Sequence, residues 1–147
     1  MADLLGTWRD AFMENLARPP ASGELKGASL LADLRVWTTS LTAVVVSACT
    51  SIGWAAAGKG HRLDRLPKAG QEYLGIDVMA FPAESATNCR WPMPLAVFEL
   101  ENAQADDRVA YSLWKVLCLR ADLRVVFAYR PDWEQGRQLV SRLADDV

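Results

Sequence analysis

The segment PLAVFELEN, residues 94–102, constrains the fold most, because it places two carboxylates inside an otherwise apolar run. Side chains alternate between the two faces of a strand, so Glu99 and Glu101 should project from one face, about 7 Å apart. The segment EYLGIDVMAF, residues 72–81, shows a similar apolar alternation around Asp77. A carboxylate in an apolar strand is costly unless a partner compensates its charge. The sequence therefore predicts three compensated acids on adjacent strands.

Helices are predicted on the N-terminal side of these two strands. Apolar side chains recur at helical spacing over residues 3–17, and again from about residue 24 to residue 45, so we expect one helix in each segment. The run from 52 to 57 allows two interpretations, since it is either the tail of the second helix or a first strand. Gly58 and Gly60 then provide a turn.

Helix and strand patterns also alternate after residue 102. Acids at Asp106 and Asp107 favour a helix N-terminus, and apolar periodicity continues that helix. LRVVFAY, residues 123–129, predicts a strand buried on both faces. Asp132 is predicted to cap a last amphipathic helix over about residues 133–144. The pattern predicts an α/β fold in one domain over residues 1–147.

The cellular compartment is predicted from cysteines and charge-free runs. Residues 36–57 contain no charged side chain, but several Ser and Thr hydroxyls interrupt them. This favours a buried helix followed by a strand over a membrane span. The N-terminus has acidic residues and no apolar leader run. Cys49, Cys89 and Cys118 are widely spaced, which favours free thiols in a reducing compartment. We therefore expect a cytoplasmic protein without a membrane span.

A divalent cation is one explanation for the acids on the predicted sheet. Asp77, Glu99 and Glu101 would repel one another, and a hard ion such as Mg²⁺ or Mn²⁺ would remove that repulsion. The alternative is that each acid is solvated or paired with arginine, for which Arg124 and Arg130 are available. The grouping of three acids favours the metal site.

At this point the residues resemble a known family. Asp77 on one strand and Glu99-Leu100-Glu101 on the next, followed by a helix and a strand, resemble the core of the PD-(D/E)XK nucleases over about residues 70–130. That core is a helix, a three-stranded meander, a crossover helix and a further strand. The resemblance implies a restriction-endonuclease-like α/β fold, in which helices flank a mixed sheet of about four strands.

The family also implies roles for individual side chains. Its Asp and Glu bind the metal, and a lysine that orients or activates water normally stands where this chain has Glu101. Some members carry that lysine on the neighbouring helix, and Lys115 is the candidate here. Tyr111 and Lys115 share a helix face. The alternative is that Lys115 extends along the helix edge beside Trp114.

Members of the family often place a further glutamate on their first helix, near the metal, and Glu14 is the candidate here. The residues implied as metal ligands are then Asp77, Glu99, Glu101 and Glu14. The residues implied in catalysis are Asp77, Glu99, Glu101 and Lys115, with Glu101 acting as a second ligand or a base.

Nucleic acid would need cationic contacts, since the formal net charge of the chain is −2. The polar segment 59–68 supplies four basic side chains, and a solvated loop is the alternative interpretation. They are Lys59, Arg62, Arg65 and Lys68. Trp91, in the loop before residues 94–102, is a candidate ligand contact.

Other chemistries lack their residues. The chain contains no GxxxxGK[ST] or GxGxxG motif, which excludes the common phosphate-binding loops. Its one histidine, His61, leaves little basis for a Ser-His-Asp triad or a structural zinc site.

Two functions are therefore expected. The first is metal-dependent hydrolysis of phosphodiester bonds in DNA, with specificity supplied by a homodimer or a partner protein. The second is a degenerate member of the same fold that binds nucleic acid or protein without catalysis. The three acids favour the first function, and the missing motif lysine and acidic net charge favour the second.

Overall fold

The computed structural model describes residues 3–67, 71–83 and 91–147. Three helices come first, followed by a sheet interrupted by one helix and closed by another. The elements are α1 (Leu4–Ala17), α2 (Ala21–Leu31), α3 (Leu34–Ser51), β1 (Ala55–Gly58), β2 (Val78–Phe81), β3 (Ala96–Glu101), α4 (Asp106–Leu117), β4 (Leu123–Ala128) and α5 (Trp133–Asp146). The protein is α/β, as the sequence predicts.

The helix predicted from residue 24 to residue 45 is instead two helices, and that prediction was wrong. Ala32 adopts a left-handed conformation with φ of 51°, which ends α2. The Asp33 side chain then accepts a hydrogen bond from Val36 N at 3.1 Å and caps α3. The run after α3 forms β1, which decides between the two interpretations left open.

The remaining boundaries are close to those predicted, except in the segment 72–81. Only Val78–Phe81 is strand there, and a 3-10 turn at Tyr73–Gly75 precedes it. The last helix has the expected cap, since the Asp132 side chain accepts from Gln135 N at 2.8 Å. The strand thus begins directly after Asp77.

The four strands form one mixed sheet in the order β1-β2-β3-β4. The first three make an antiparallel meander, and β4 lies parallel to β3 after the crossover helix α4. β4 is an edge strand, so most of its side chains are only partly buried. The expectation that residues 123–129 are buried on both faces was therefore wrong.

Helices cover both faces of the sheet. On one face, Trp8 and Val45 from α1 and α3 pack against Phe98 of β3. On the other face, Val116 of α4 packs against Val97. Neighbouring residues of β3 thus point to opposite layers, as its alternation predicts, and Glu99 faces α4 with Val97.

The charge-free stretch 36–57 is accounted for by most of α3 together with β1. Across the part of the chain that the structure describes, none of the helices has the length and apolar character needed to cross a membrane.

Candidate active site

Asp77 stands where β2 and β3 stop pairing. The last register pair at this end of the ladder is Val78 with Phe98. Beyond it, Asp77 Oδ2 accepts a hydrogen bond from Leu100 N at 2.7 Å, and Asp77 N donates to Glu99 Oε1 at 3.2 Å. Side-chain oxygens therefore replace the backbone acceptors that a continued ladder would provide, and they fix the two carboxylates relative to each other.

Lys115 joins this pair from α4. Its Nζ lies 2.7 Å from Glu99 Oε2 and donates to Gly75 O at 2.9 Å. The Glu99 side chain is 6% exposed and that of Lys115 is 25% exposed. The ammonium group is thus held by the protein, with the Tyr111 ring centroid 6.0 Å away. The alternative in which Lys115 only follows the helix edge beside Trp114 does not describe this geometry.

Burial is the main electrostatic influence on both acids. It raises the pKa of Asp77, which the charges of Glu72 and Glu101 raise further, whereas the Leu100 amide and Lys115 lower it. Burial likewise raises the pKa of Glu99, against the hydrogen bond from Lys115. The site thus concentrates negative charge in a poorly solvated place, and Lys115 compensates only part of it.

Glu101 shares the face of Glu99 but is held differently. Its carboxylate accepts from Ala103 N at 2.8 Å and from Ser112 Oγ at 3.3 Å, which ties the end of β3 to α4. Its charge still reaches Asp77, whose pKa it raises. Residues 3–67, 71–83 and 91–147 contain no group of three His, Cys, Asp or Glu side chains arranged to share an ion. The direct link is between two acids and one lysine.

Glu14 lies apart from these residues. It is exposed on α1 and pairs with Arg18 one helical turn later. The helix that shares a cavity with Asp77 is α3. Among the residues that the structure describes, Glu14 makes no hydrogen bond or ion pair with the other predicted ligands.

Two arginines that could have neutralised the acids have other partners. Arg124 Nε donates to Val116 O at 3.1 Å and Arg124 Nη2 donates to Leu119 O at 2.8 Å, which satisfies carbonyls at the end of α4. Arg130 Nη2 lies 2.8 Å from Asp106 Oδ1. Glu99 is therefore paired with a lysine, Lys115, and not with either of these arginines.

The basic side chains of segment 59–68, which were predicted to contact nucleic acid, lie in different surroundings. Lys59 lines a cavity that also includes Asp77. Arg65 Nη2 donates to Pro82 O at 2.9 Å, and its guanidinium lies 5.7 Å from the Phe81 ring centroid, so Arg65 packs against the protein. Arg62 is exposed. Lys68 lies outside the described residues.

Two neighbouring cavities contain residues that the sequence reasoning missed. Trp91, predicted as a ligand contact, lines an apolar cavity of about 430 Å³ together with Tyr73. The cavity at Asp77 includes Asn102, whose Nδ2 donates to Thr38 Oγ1 at 3.0 Å. This contact joins positions far apart in sequence, so the spacing of residues along the chain did not indicate it.

Comparisons with protein-family models, curated proteins and solved structures find no match to this chain. The geometry of Asp77, Glu99 and Lys115 is therefore the basis on which a function is proposed.

Proposed function

We propose that the protein is a divalent-metal-dependent phosphodiesterase that acts on DNA, with a restriction-endonuclease-like core. The observation that carries the proposal is the linked constellation of Asp77, Glu99 and Lys115, in which the lysine comes from the crossover helix. The element order supports it, because α3, the meander β1 to β3, α4 and the parallel strand β4 follow the order of the PD-(D/E)XK core.

Asp77 and Glu99 suit a hard divalent ion. Magnesium is usually held by one or two carboxylates, with waters and substrate phosphate completing its shell. Asp77 Oδ1 accepts no hydrogen bond from the described residues, so its lone pairs are available. The burial that raises both pKa values also makes a compensating cation favourable. When bound, Mg²⁺ or Mn²⁺ would polarise the phosphate and lower the pKa of a coordinated water.

Lys115 supplies the positive charge of the protein itself. An ammonium group has three N–H donors, and Glu99 and Gly75 accept from two of them. The remaining N–H can donate to a phosphoryl oxygen, where it stabilises negative charge that develops in the transition state. Because Glu99 and Gly75 hold Nζ before substrate binds, little reorganisation is needed at that moment.

A second candidate function is nucleic-acid or protein binding without catalysis. It is favoured by the position of Glu101, which stands where the family has lysine and is already held by Ser112 and Ala103. It is also favoured because Lys115 satisfies Glu99 Oε2 without any metal.

The two candidates differ in one experiment. Supercoiled plasmid and single-stranded DNA are incubated with the protein in Mg²⁺, in Mn²⁺ and in EDTA. We expect cleavage in either metal, none in EDTA, and loss of cleavage in Asp77→Ala and Lys115→Ala. Lys26→Ala, which changes an exposed lysine on α2, is the matched control and should cleave normally. Binding of DNA without cleavage in either metal would overturn the phosphodiesterase and leave the binding function.

A further inference from the structure

Helix α3 carries a polar stripe beside the candidate site. Arg35, Thr38, Thr39 and Thr42 follow helical spacing, while Trp37 and other apolar residues of the helix are buried against the sheet. The stripe forms one wall of a cavity of about 490 Å³, a size typical of small-ligand sites. The other lining residues are Lys59, Gly60, Glu72, Asp77 and Asn102.

Hydrogen bonds fix the wall that α3 contributes. Thr38 Oγ1 donates to Leu34 O at 2.8 Å and accepts from Asn102 Nδ2 at 3.0 Å. Thr42 Oγ1 donates to Thr38 O at 2.8 Å. These contacts tie α3 to the residue that follows β3, so the cavity has a defined shape beside Asp77.

Two cations from separate elements line this cavity, and the described part of the chain gives neither of them a partner. Arg35 comes from the first turn of α3 and Lys59 from the turn after β1. Within residues 3–67, 71–83 and 91–147, neither makes a hydrogen bond or an ion pair. Arg9 and Arg137, by contrast, pair with carboxylates on the exposed surfaces of their own helices. The Thr39 hydroxyl also makes no hydrogen bond to the described residues. The cavity therefore presents two cations and a hydroxyl donor to a ligand, beside the carboxylates of Glu72 and Asp77.

We propose that this cavity binds a backbone phosphate of the nucleic-acid strand, next to the phosphate that reaches Asp77. The choice of a nucleic acid as ligand rests on the proposed function, whereas the phosphate chemistry rests on Arg35, Lys59 and Thr39. A guanidinium binds two phosphate oxygens at once, and an ammonium adds a flexible point charge. Asp77 lines the same cavity, so a phosphate bound there brings the adjacent linkage to the two acids.

The donors in the cavity recognise phosphate rather than base edges. Contacts of this kind set the register and direction of a strand but carry no sequence information. The site is therefore expected to bind strands of different sequence with similar affinity, and to lose affinity as salt rises.

The test measures binding without cleavage. A fluorescently labelled single-stranded oligonucleotide is titrated in EDTA at several salt concentrations, and affinity is read by anisotropy. Arg35→Ala and Lys59→Ala should each weaken binding about tenfold, as expected for a lost charged hydrogen bond. Each should also reduce the steepness of the salt dependence by about 0.7 per contact. Arg137→Ala, a surface arginine paired with Glu134, is the matched control and should bind as the wild type does.

Equal affinity of Arg35→Ala, Lys59→Ala and Arg137→Ala would overturn the phosphate site, as would absence of oligonucleotide binding by the wild type. Both cations are exposed, so their removal should leave the thermal unfolding temperature unchanged. Cleavage in Mg²⁺ or Mn²⁺ is scored separately. Cleavage with binding independent of Arg35 and Lys59 overturns the cavity alone. Binding that depends on both residues, without cleavage, supports the cavity and overturns the phosphodiesterase.

Discussion

Replacing Lys115 by methionine removes an ammonium group but keeps most of the apolar stem. Glu99, whose side chain is 6% exposed, then loses the cation 2.7 Å from its Oε2. Removing one partner of a fully buried ion pair costs about 3–5 kcal/mol. Since the Lys115 side chain is 25% exposed, solvent already screens part of that interaction. We therefore expect the free energy of unfolding to fall by about 2 kcal/mol at neutral pH.

The free energy of unfolding is measured in urea, with EDTA present. The control is Lys26→Met, which changes an exposed lysine on α2 and should alter that free energy by less than about 0.5 kcal/mol. The decrease in unfolding free energy caused by Lys115→Met should be smaller at acidic pH. The pKa of Glu99 is raised by burial, so its protonated form is stabilised in the fold, and that stability is lost as pH rises through the folded pKa. A protonated Glu99 needs no cation. If Lys115→Met and Lys26→Met changed the unfolding free energy equally at neutral pH, Lys115 would not stabilise the buried Glu99 carboxylate as described.

Three further predictions follow from the same contacts. Asp77→Asn keeps an acceptor for Leu100 N but removes a carboxylate whose pKa is raised mainly by burial. In EDTA at neutral pH this variant should therefore be at least as stable to urea as the wild type, and its metal-dependent cleavage should be lost. Clear destabilisation would contradict this prediction. Burial raises the pKa of the Cys49 thiol to about 12, so with Cys89 and Cys118 replaced by serine the remaining thiol should react with a disulfide reagent only after unfolding. Phe98→Ala should lower the free energy of unfolding in urea by about 3–5 kcal/mol, because the Phe98 side chain is fully buried between the sheet and the N-terminal helices. A decrease below about 1 kcal/mol, which is typical of a surface substitution, would contradict the assigned core.

The alternation within β3 was sufficient to predict which of its side chains share a face of the sheet. Phe98 and Leu100 face the N-terminal helices, and Val97 and Glu99 face α4, because the period of a strand is two. The helical spacing of Tyr111 and Lys115 likewise placed both on one face of α4, and the structure brings Lys115 to Glu99. Patterns local to one element were therefore predictable.

Contacts between distant segments were not predictable in the same way. The hydrogen bond from Leu100 N to Asp77 depends on the register of β2 against β3, and the bond from Lys115 to Gly75 depends on the 3-10 turn before Asp77. A shift of one residue in that register would move each side chain to the opposite face of the sheet.

The break between α2 and α3 at Ala32 was missed because alanine carries no intrinsic preference for a left-handed conformation, although Asp33 is a good helix cap.

The number of helices before the sheet also affected the predicted site. Glu14 was chosen as the glutamate of a first helix, but two further helices follow α1, and the helix that borders the cavity at Asp77 is α3. Arg35 and the threonines of α3 therefore stand beside the site, and sequence spacing alone gave no reason to associate them with Asp77.

Calorimetric titration of Mn²⁺ into the metal-free protein determines whether Asp77 and Glu99 hold an ion. If these two acids form a metal site, the wild type binds one ion per chain, and Asp77→Asn and Glu99→Gln lose that binding. Lys115→Met retains it, because the substitution frees Glu99 Oε2. Absence of binding by the wild type at millimolar Mn²⁺, or binding unchanged in Asp77→Asn and Glu99→Gln, would contradict the metal site.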